Sequence, residues 1–291
     1  VWGNYKILFK IRKGAVIYNY KLFDETGEFN TADFREKLLK LCSSHSKVVL
    51  VFNFPNNPTG YSITGKRAER VREILKEAAD GGTRLVVITD DAYFGLFYDE
   101  DVLKESIFGS LCGLHKNIIP IKCCGATKEH FVWGLRVGFI TFGWNKEGDP
   151  EKIFRALEQK CGGDIRGNVS NCSHIGQRII INLLKNPEWR EEWKEKYDIL
   201  KDRALETKRV LDTGNFDDIW SYYNFNSGYF MCLRLKGIEA EELRVKLLDE
   251  HGVGTIASGA EDLRIAFSCI EKDSIEDLFS IIAKAARDIK K

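Results

Sequence analysis

The sequence lacks long apolar runs and an excess of charge of either sign. Its apolar runs, such as residues 47–54, are far shorter than the ~20 residues that a membrane-spanning helix needs. Lys and Arg together number 44 and Asp and Glu 43, so no strong field favours nucleic acid or an anionic membrane. We therefore expect neither a membrane protein nor a nucleic-acid-binding protein, and at 291 residues the chain is long enough to bury a substantial core.

Patterns typical of metal and nucleotide sites are missing as well. The eight cysteines include the adjacent pair Cys123-Cys124 but no C-x-x-C, and no two of the five histidines stand four residues apart. The glycine-rich stretch 161–167 lacks the G-x-G-x-x-G spacing of a dinucleotide fingerprint. We expect no metal site, reduced structural thiols and a cytoplasmic protein.

Short apolar runs alternate with amphipathic stretches in the first half of the chain. The helix predicted between the first two runs, 66–79, has Ala68, Val71, Ile74 and Leu75 at helical spacing. Strands separated by helices predict parallel pairing, hence an α/β fold with a mainly parallel sheet sandwiched by helices. Functional groups are then expected at the carboxyl ends of the strands. The predicted strands are 47–54, 84–90, 117–124 and 137–143.

The second half of the chain is mainly helical and ends in a mixed pattern. This predicts a large domain at 1–186, a long connecting helix at 187–212 and a smaller C-terminal α+β domain at 213–291. The predicted helices are 151–161, 173–184 and 187–211, followed by a strand at 229–235, a helix at 240–251, a strand at 263–267 and a helix at 274–289.

Polar motifs follow the first two predicted strands. The first strand ends in Asn53-Phe54-Pro55-Asn56-Asn57-Pro58-Thr59-Gly60, where Asn57 precedes a proline and is therefore held extended, with its amide able to point into a cleft. The alternative is a plain helix-entry loop. The second strand ends in Asp90-Asp91-Ala92-Tyr93, which could equally be a helix cap and a packed ring.

The third predicted strand runs into Gly125-Ala126-Thr127-Lys128, and Gly134-Leu135-Arg136-Val137-Gly138 follows. A lysine at the mouth of a parallel sheet is partly desolvated, which lowers its pKa and makes it a nucleophile toward a carbonyl. Arg136 offers donors suited to a phosphate. Taken alone, Lys128 would be an ordinary surface lysine, but the joint order of these motifs on successive strand ends is hard to obtain by chance.

These motifs resemble those of the fold type I pyridoxal-phosphate (PLP) enzymes, the class I and II aminotransferases, and most closely the aspartate and aromatic amino-acid branch. The resemblance implies that Lys128 is the catalytic residue and forms the Schiff base with the cofactor. It implies that Asp90 pairs with the pyridine nitrogen, and that Asn57 and Tyr93 contact the ring oxygen, with Asn57 also near the substrate. Arg136 would bind the cofactor phosphate.

Three further matches concern the cofactor ring and the substrate. Trp2, in Trp2-Gly3-Asn4-Tyr5, resembles the tryptophan of a Trp-x-Asn-His/Tyr segment that stacks on the cofactor. Arg264 resembles the arginine that clamps the substrate α-carboxylate. Arg166 resembles the arginine that reaches a neighbouring subunit's site and binds a side-chain carboxylate, although a surface arginine after a glycine pair is the alternative.

Two departures from the family pattern stand out. Gly125 lies where many relatives have a phosphate-binding serine. The family also has on the order of a hundred residues before the Trp-x-Asn segment, more than a loop or linker accounts for. They include an N-terminal arm, a loop that holds the phosphate at a helix N-terminus and a tyrosine donated across the dimer. We therefore expect an N-terminal part to be missing from this chain.

The resemblance implies a PLP-dependent, ping-pong transamination via pyridoxamine phosphate. Arg264 with Arg166 favours aspartate or a similar dicarboxylate as the amino donor and 2-oxoglutarate as the acceptor, in a homodimer. An aromatic aminotransferase, a β-lyase or a decarboxylase would use the same lysine and aspartate. A truncated, inactive binding module is a further alternative.

Overall fold

The larger sheet of the molecule has four strands in the order β1, β2, β3 and β4. The computed structural model describes residues 2–290. β1, β2 and β3 are parallel to one another, whereas β4 is antiparallel to β3. The strands are β1 (Lys47–Asn53), β2 (Arg84–Asp90), β3 (Ile118–Gly125) and β4 (Gly138–Phe142).

The predicted mainly parallel sheet is confirmed, and the antiparallel direction of β4 is a feature that the sequence pattern did not indicate. A parallel connection must cross the full length of the sheet and usually contains a helix of several turns. The segment between β3 and β4 contains only α4, Ala126–Glu129. β4 therefore begins beside the end of β3 and runs back along it, with Gly125 paired to Gly138.

Helices before β3 pack on the larger sheet, and their apolar residues share a core with residues of β1, β2 and β3. α2, Gly65–Asp80, begins after Thr64, whose side chain caps its first turn. α1, Thr31–Cys42, and α3, Ile107–Leu111, were not predicted. α1 buries Phe34 and Leu38 among several charged residues, and α3 has five residues, which is too short for a helical pattern to be recognised. The predicted inner face of α2 is buried, namely Ala68, Val71, Ile74 and Leu75.

Three helices follow β4. They are α5, Pro150–Asn168, α6, His174–Lys185, and α7, Trp189–Thr213. α5 is seven residues longer at its end than the predicted 151–161, because it continues through Gly162 and Gly163. Glycine weakens a helix by about 1 kcal/mol per residue without ending it. Within residues 2–290, no helix is both long enough and apolar enough to cross a membrane.

A second, smaller sheet lies after α7, with strand order β5, β6, β8, β7 and antiparallel pairing throughout. Two helices pack on it, and their apolar residues form a shared core with α7. The division into domains at 1–186, 187–212 and 213–291 stays a prediction. The elements are β5 (Trp220–Tyr222), β6 (Met231–Leu235), α8 (Ala240–His251), β7 (Ile256–Ala257), β8 (Asp262–Ile265) and α9 (Ile275–Lys290), with 3-10 turns at Phe267–Cys269 and Lys272–Ser274. At the start of the chain, Lys6–Ile11 forms a π-helical turn.

Gly60 is the point at which the segment leading into β6 meets the loop after β1. Its carbonyl accepts hydrogen bonds from the backbone N–H groups of Asn226, at 3.0 Å, and Ser227, at 2.9 Å. Gly60 has a φ of +75°, and a Cβ added to it would lie 1.9 Å from the carbonyl oxygen of Phe230. A glycine is therefore required here both by the left-handed backbone and by the close approach of the other chain segment.

Substitution of Gly60 by alanine is expected to destabilise the protein in two ways. Alanine disfavours the left-handed backbone at this position, and its Cβ would clash with the carbonyl oxygen of Phe230. Gly252 is a matched control, because it has a φ of +66° with nothing within 4 Å of an added Cβ. We expect Gly252→Ala to lower the free energy of unfolding by about 1 kcal/mol and Gly60→Ala to lower it by about 3 kcal/mol or more. Urea denaturation measures both, and equal losses would contradict the packing argument.

Candidate active site

The carboxyl ends of the three parallel strands bring the polar motifs to one edge of the sheet. Asn53, the last residue of β1, is paired with Asp90, the last residue of β2. The Asn53 side chain donates to the Asp90 carbonyl at 3.0 Å and accepts from the backbone N–H of Asn57 at 2.8 Å. This bridge holds the loop that carries Asn57 against the end of β2.

The carboxylate of Asp90 is half-buried and has two hydrogen-bond donors. The backbone N–H of Ala92 donates to Oδ1 at 3.2 Å, and the Tyr5 hydroxyl donates to Oδ2. Burial raises the pKa of Asp90, and the two hydrogen bonds act in the opposite direction. Each carboxylate oxygen can accept more than one hydrogen bond, so Asp90 can still accept a hydrogen bond from a bound ligand.

Lys128 lies in the one-turn helix α4 directly after β3. Its Nζ is 5.8 Å from the centre of the Tyr93 ring. Burial lowers the pKa of Lys128, and the positive charges of Arg136 and Arg264 lower it further. A larger fraction of the amine is therefore uncharged at neutral pH than in an exposed lysine, and the uncharged amine is the nucleophilic form.

Arg264 reaches this edge from β8 of the smaller sheet. Its Nη1 donates to Oδ1 of Asn57 at 2.9 Å, and its guanidinium lies 4.1 Å from the centre of the Phe230 ring. Tyr93 is buried next to them, and its pKa is raised by burial to about 12, which keeps its hydroxyl protonated at neutral pH. Asn57, Tyr93 and Arg264 thus form one hydrogen-bonding group beside Lys128.

Two other predicted residues lie around this group. Arg136 is exposed in the loop before β4, has a φ of +54° and is close enough to lower the pKa of Lys128. A positive φ is uncommon for a residue other than glycine and is often seen at functional sites. Trp2 is 37% exposed and packs edge-on against Tyr5, with ring centres 5.4 Å apart, so it is connected to Asp90 through Tyr5.

Arg166 is not joined to this group. It lies exposed in the last turn of α5, where its Nη1 donates to Oγ of Ser170 at 2.9 Å. In the described part of the chain, no hydrogen bond or ion pair connects it with the other predicted site residues. Its position is that of a surface residue in a single copy of this chain.

Two contacting residues were not predicted from the sequence. Tyr5 donates to Asp90 across 85 positions of sequence, and its signal was available, since it is the fourth residue of the Trp2-Gly3-Asn4-Tyr5 segment. Phe230 lies under the Arg264 guanidinium, and no sequence pattern marks it, because an aromatic residue next to a strand is ordinarily a core residue.

Replacing Tyr5 by phenylalanine removes the hydroxyl that donates to Asp90. The pKa of Asp90 in the folded chain is raised above the ordinary 3.8, so Asp90 holds its proton more tightly in the folded than in the unfolded chain. Its contribution to the free energy of unfolding therefore falls as the pH rises from about 3.8 through the raised pKa. Once Asp90 is ionised, the Tyr5 bond is charge-assisted and is worth about 2 kcal/mol, against about 1 kcal/mol when the carboxyl is neutral.

We therefore expect Tyr5→Phe to cost more stability at about pH 8 than at about pH 3.8, the ordinary pKa of the group, because the raised pKa keeps more of Asp90 protonated at the lower pH. Urea denaturation of the variant and the wild type at the two pH values gives the difference. Tyr18→Phe is the control, because Tyr18 is 57% exposed. A loss that is larger at the lower pH would contradict the assignment of the bond to the ionised carboxylate.

Proteins of known sequence and structure resemble this chain over nearly all its length. It is 23% identical over 290 residues to an aspartate aminotransferase of Pseudomonas aeruginosa, covering 97% of this chain and 67% of that protein. The crystal structure of an aminotransferase from Anaerococcus prevotii superimposes with a TM-score of 0.84 at 23% identity, covering 98% and 68% of the two chains. An aromatic-amino-acid aminotransferase from Burkholderia pseudomallei, covalently bound to pyridoxal phosphate, does so with a TM-score of 0.72 at 21% identity, covering 98% and 67%.

The structural matches establish the fold as that of the PLP fold type I enzymes. The chain spans about two thirds of the length of the curated relatives that it matches. The sequence model of the family described as aminotransferase class I and II matches residues 1–282. With Lys128, Asp90 and Arg264 gathered at one sheet edge and this match over almost the whole sequence, the chain belongs to the class I and II aminotransferases.

Proposed function

We propose that this chain carries the catalytic part of a PLP-dependent aminotransferase. The observation that supports the proposal best is the position of Lys128. Its amine has a lowered pKa beside Tyr93, Arg136 and Arg264, at the sheet edge where Asp90 also ends its strand. The reaction would transfer an amino group from an amino acid to a 2-oxo acid in two half-reactions.

The side chains at this edge fit pyridoxal phosphate. Asp90 supplies an anion for a pyridine nitrogen, and the Tyr5 and Ala92 donors oppose the rise in its pKa. Lys128 supplies an amine for the aldehyde, and the Tyr93 hydroxyl with the Asn57 amide supplies donors for a ring oxygen. Arg136 can provide a guanidinium for the cofactor phosphate, whereas Gly125 has no side chain with which to bind it. The bound cofactor would supply the electron sink for the electrons left when the substrate Cα loses its proton.

The chain's own residues would bind the substrate and move its proton. Arg264 has its guanidinium held between Asn57 and the Phe230 ring, which orients it for paired hydrogen bonds to an α-carboxylate. Once Lys128 has been released by the incoming amine, its uncharged amine would act as the base at the substrate Cα. Asp90 would hold a proton on the pyridine nitrogen, and Trp2 would cover the face of the ring.

For the substrate we propose aspartate or a similar dicarboxylate, with 2-oxoglutarate as acceptor. Arg166 makes no contact with the Lys128 group in one copy of the described chain, which agrees with a role in the site of a second copy. A homodimer in the cytoplasm is part of the same proposal. An aromatic amino acid is the second candidate, favoured by the likeness to the Burkholderia pseudomallei enzyme.

Lys128→Ala is expected to abolish covalent attachment of the cofactor. The protein is incubated with pyridoxal phosphate, reduced with borohydride and digested, and the phosphopyridoxyl label is located by mass spectrometry. The label should be on Lys128 in the wild type and be reduced at least about a hundredfold in the variant, because the nucleophile is gone. Lys116→Ala, at an exposed lysine just before β3, is the control and should label normally. Equal labelling of the Lys128→Ala and wild-type proteins would refute the proposed function.

Arg166→Ala is expected to separate the two candidate substrates. If Arg166 binds a side-chain carboxylate, its loss should lower kcat/KM for aspartate about a hundredfold or more, as expected for a charge-assisted pair. The value for an aromatic amino acid should change little. Arg155→Ala, at an exposed arginine of the same helix, controls for general effects on α5. Equal losses for both amino acids would exclude the dicarboxylate assignment.

A further inference from the structure

The short helix that carries Lys128 receives hydrogen bonds from two distant aromatic side chains. α4 has four residues, so its last carbonyl groups lie at the end of the helix and can accept hydrogen bonds from outside it. The Tyr229 hydroxyl donates to the carbonyl oxygen of Lys128 at 3.1 Å. The indole N–H of Trp193, on α7, donates to the carbonyl oxygen of Glu129 at 2.6 Å.

The turn after Lys128 needs such support. Within the turn, the backbone N–H of Phe131 donates to the Lys128 carbonyl at 3.2 Å. Phe131 itself has a φ of +55°, a backbone conformation that costs an aromatic residue free energy and persists only when its surroundings hold it. The hydrogen bond from Tyr229 reaches the same carbonyl from outside the turn, and it therefore stabilises the backbone of Lys128 directly.

Tyr229 is itself held firmly. The backbone N–H of the preceding residue, Gly228, donates to the carbonyl of Leu96 at 2.8 Å, and the N–H of Ser268 donates to the carbonyl of Tyr229 at 3.4 Å. Its ring packs edge-on against Tyr93, with ring centres 5.5 Å apart. Burial raises the pKa of Tyr229 above that of a free tyrosine, so its hydroxyl remains a donor throughout the neutral pH range.

We propose that Tyr229 is a positioning residue for Lys128, tying the backbone of the reactive lysine to the segment that leads into the smaller sheet. This inference rests on the proposed function of Lys128. The lysine amine must meet the cofactor aldehyde and the substrate Cα in turn, and small displacements of a reacting group cause large losses in rate. The hydrogen bond from Tyr229 to the Lys128 carbonyl holds the Lys128 backbone in place, and therefore also the Cα from which the lysine side chain extends.

Tyr229→Phe tests the proposal, because it removes the hydroxyl and keeps the ring. Tyr223→Phe is a matched control, since the Tyr223 hydroxyl donates to Oδ1 of Asp262 at 2.9 Å at the edge of the smaller sheet. The first measurement is hydrogen exchange of the backbone amides of His130 and Phe131 in cofactor-free protein. We expect exchange to be faster by on the order of tenfold in Tyr229→Phe and unchanged in Tyr223→Phe.

The second measurement is the rate of borohydride-trapped attachment of pyridoxal phosphate to Lys128, together with steady-state kinetics. We expect attachment and kcat to fall about tenfold in Tyr229→Phe while KM changes less than about twofold. If exchange rises but attachment and kcat match the Tyr223→Phe control, the hydroxyl has only a structural role and the proposal is overturned. Unchanged exchange overturns it as well. Failure of the wild type to attach the cofactor at Lys128 would instead refute the proposed function, and the inference with it.

Discussion

The contact between Gly60 and residues 226–230 is the constraint on which the rest of the site depends. The Gly60 carbonyl accepts three hydrogen bonds, from the backbone of Asn226 and from the backbone and hydroxyl of Ser227. Because Gly60 has no Cβ, the backbone of Phe230 can approach it closely. This contact holds the segment before β6 against the strand ends of the larger sheet, and it is why Arg264, on a neighbouring strand of the smaller sheet, reaches Asn57.

Burial acts on the two central ionisable groups in opposite directions. It raises the pKa of Asp90 and lowers the pKa of Lys128, because a partly dry environment disfavours the charged form of each. The Tyr5 hydroxyl counteracts the effect at Asp90, whereas Arg136 and Arg264 strengthen it at Lys128. The same two arginines make this edge of the sheet suited to anions, which matches a ligand with a phosphate and a substrate with a carboxylate.

Much of the fold could be predicted from local sequence patterns. The predicted strand 84–90 and the predicted helix 240–251 have the observed bounds of β2 and α8, since β2 is a short apolar run that ends at Asp90 and α8 is followed by Gly252, which adopts the left-handed conformation typical of a helix C-terminus. The direction of β4 and the continuation of α5 through Gly162 and Gly163 were not predicted. These two features depend on the tertiary packing of the chain and on the distance that a connection must span. A short window of sequence contains no information on either.

The candidate site divides in the same way. The sequence by itself determined which chemical groups stand at the ends of the strands, namely Asn57, Asp90 and Lys128, because parallel strands place their carboxyl ends at one edge. Only the tertiary structure decided which distant side chains complete it: Tyr5 on the Asp90 carboxylate, Tyr229 on the Lys128 carbonyl and Phe230 beneath Arg264. These partners are far apart in the chain, and their contacts form only when the folded chain brings the distant segments together.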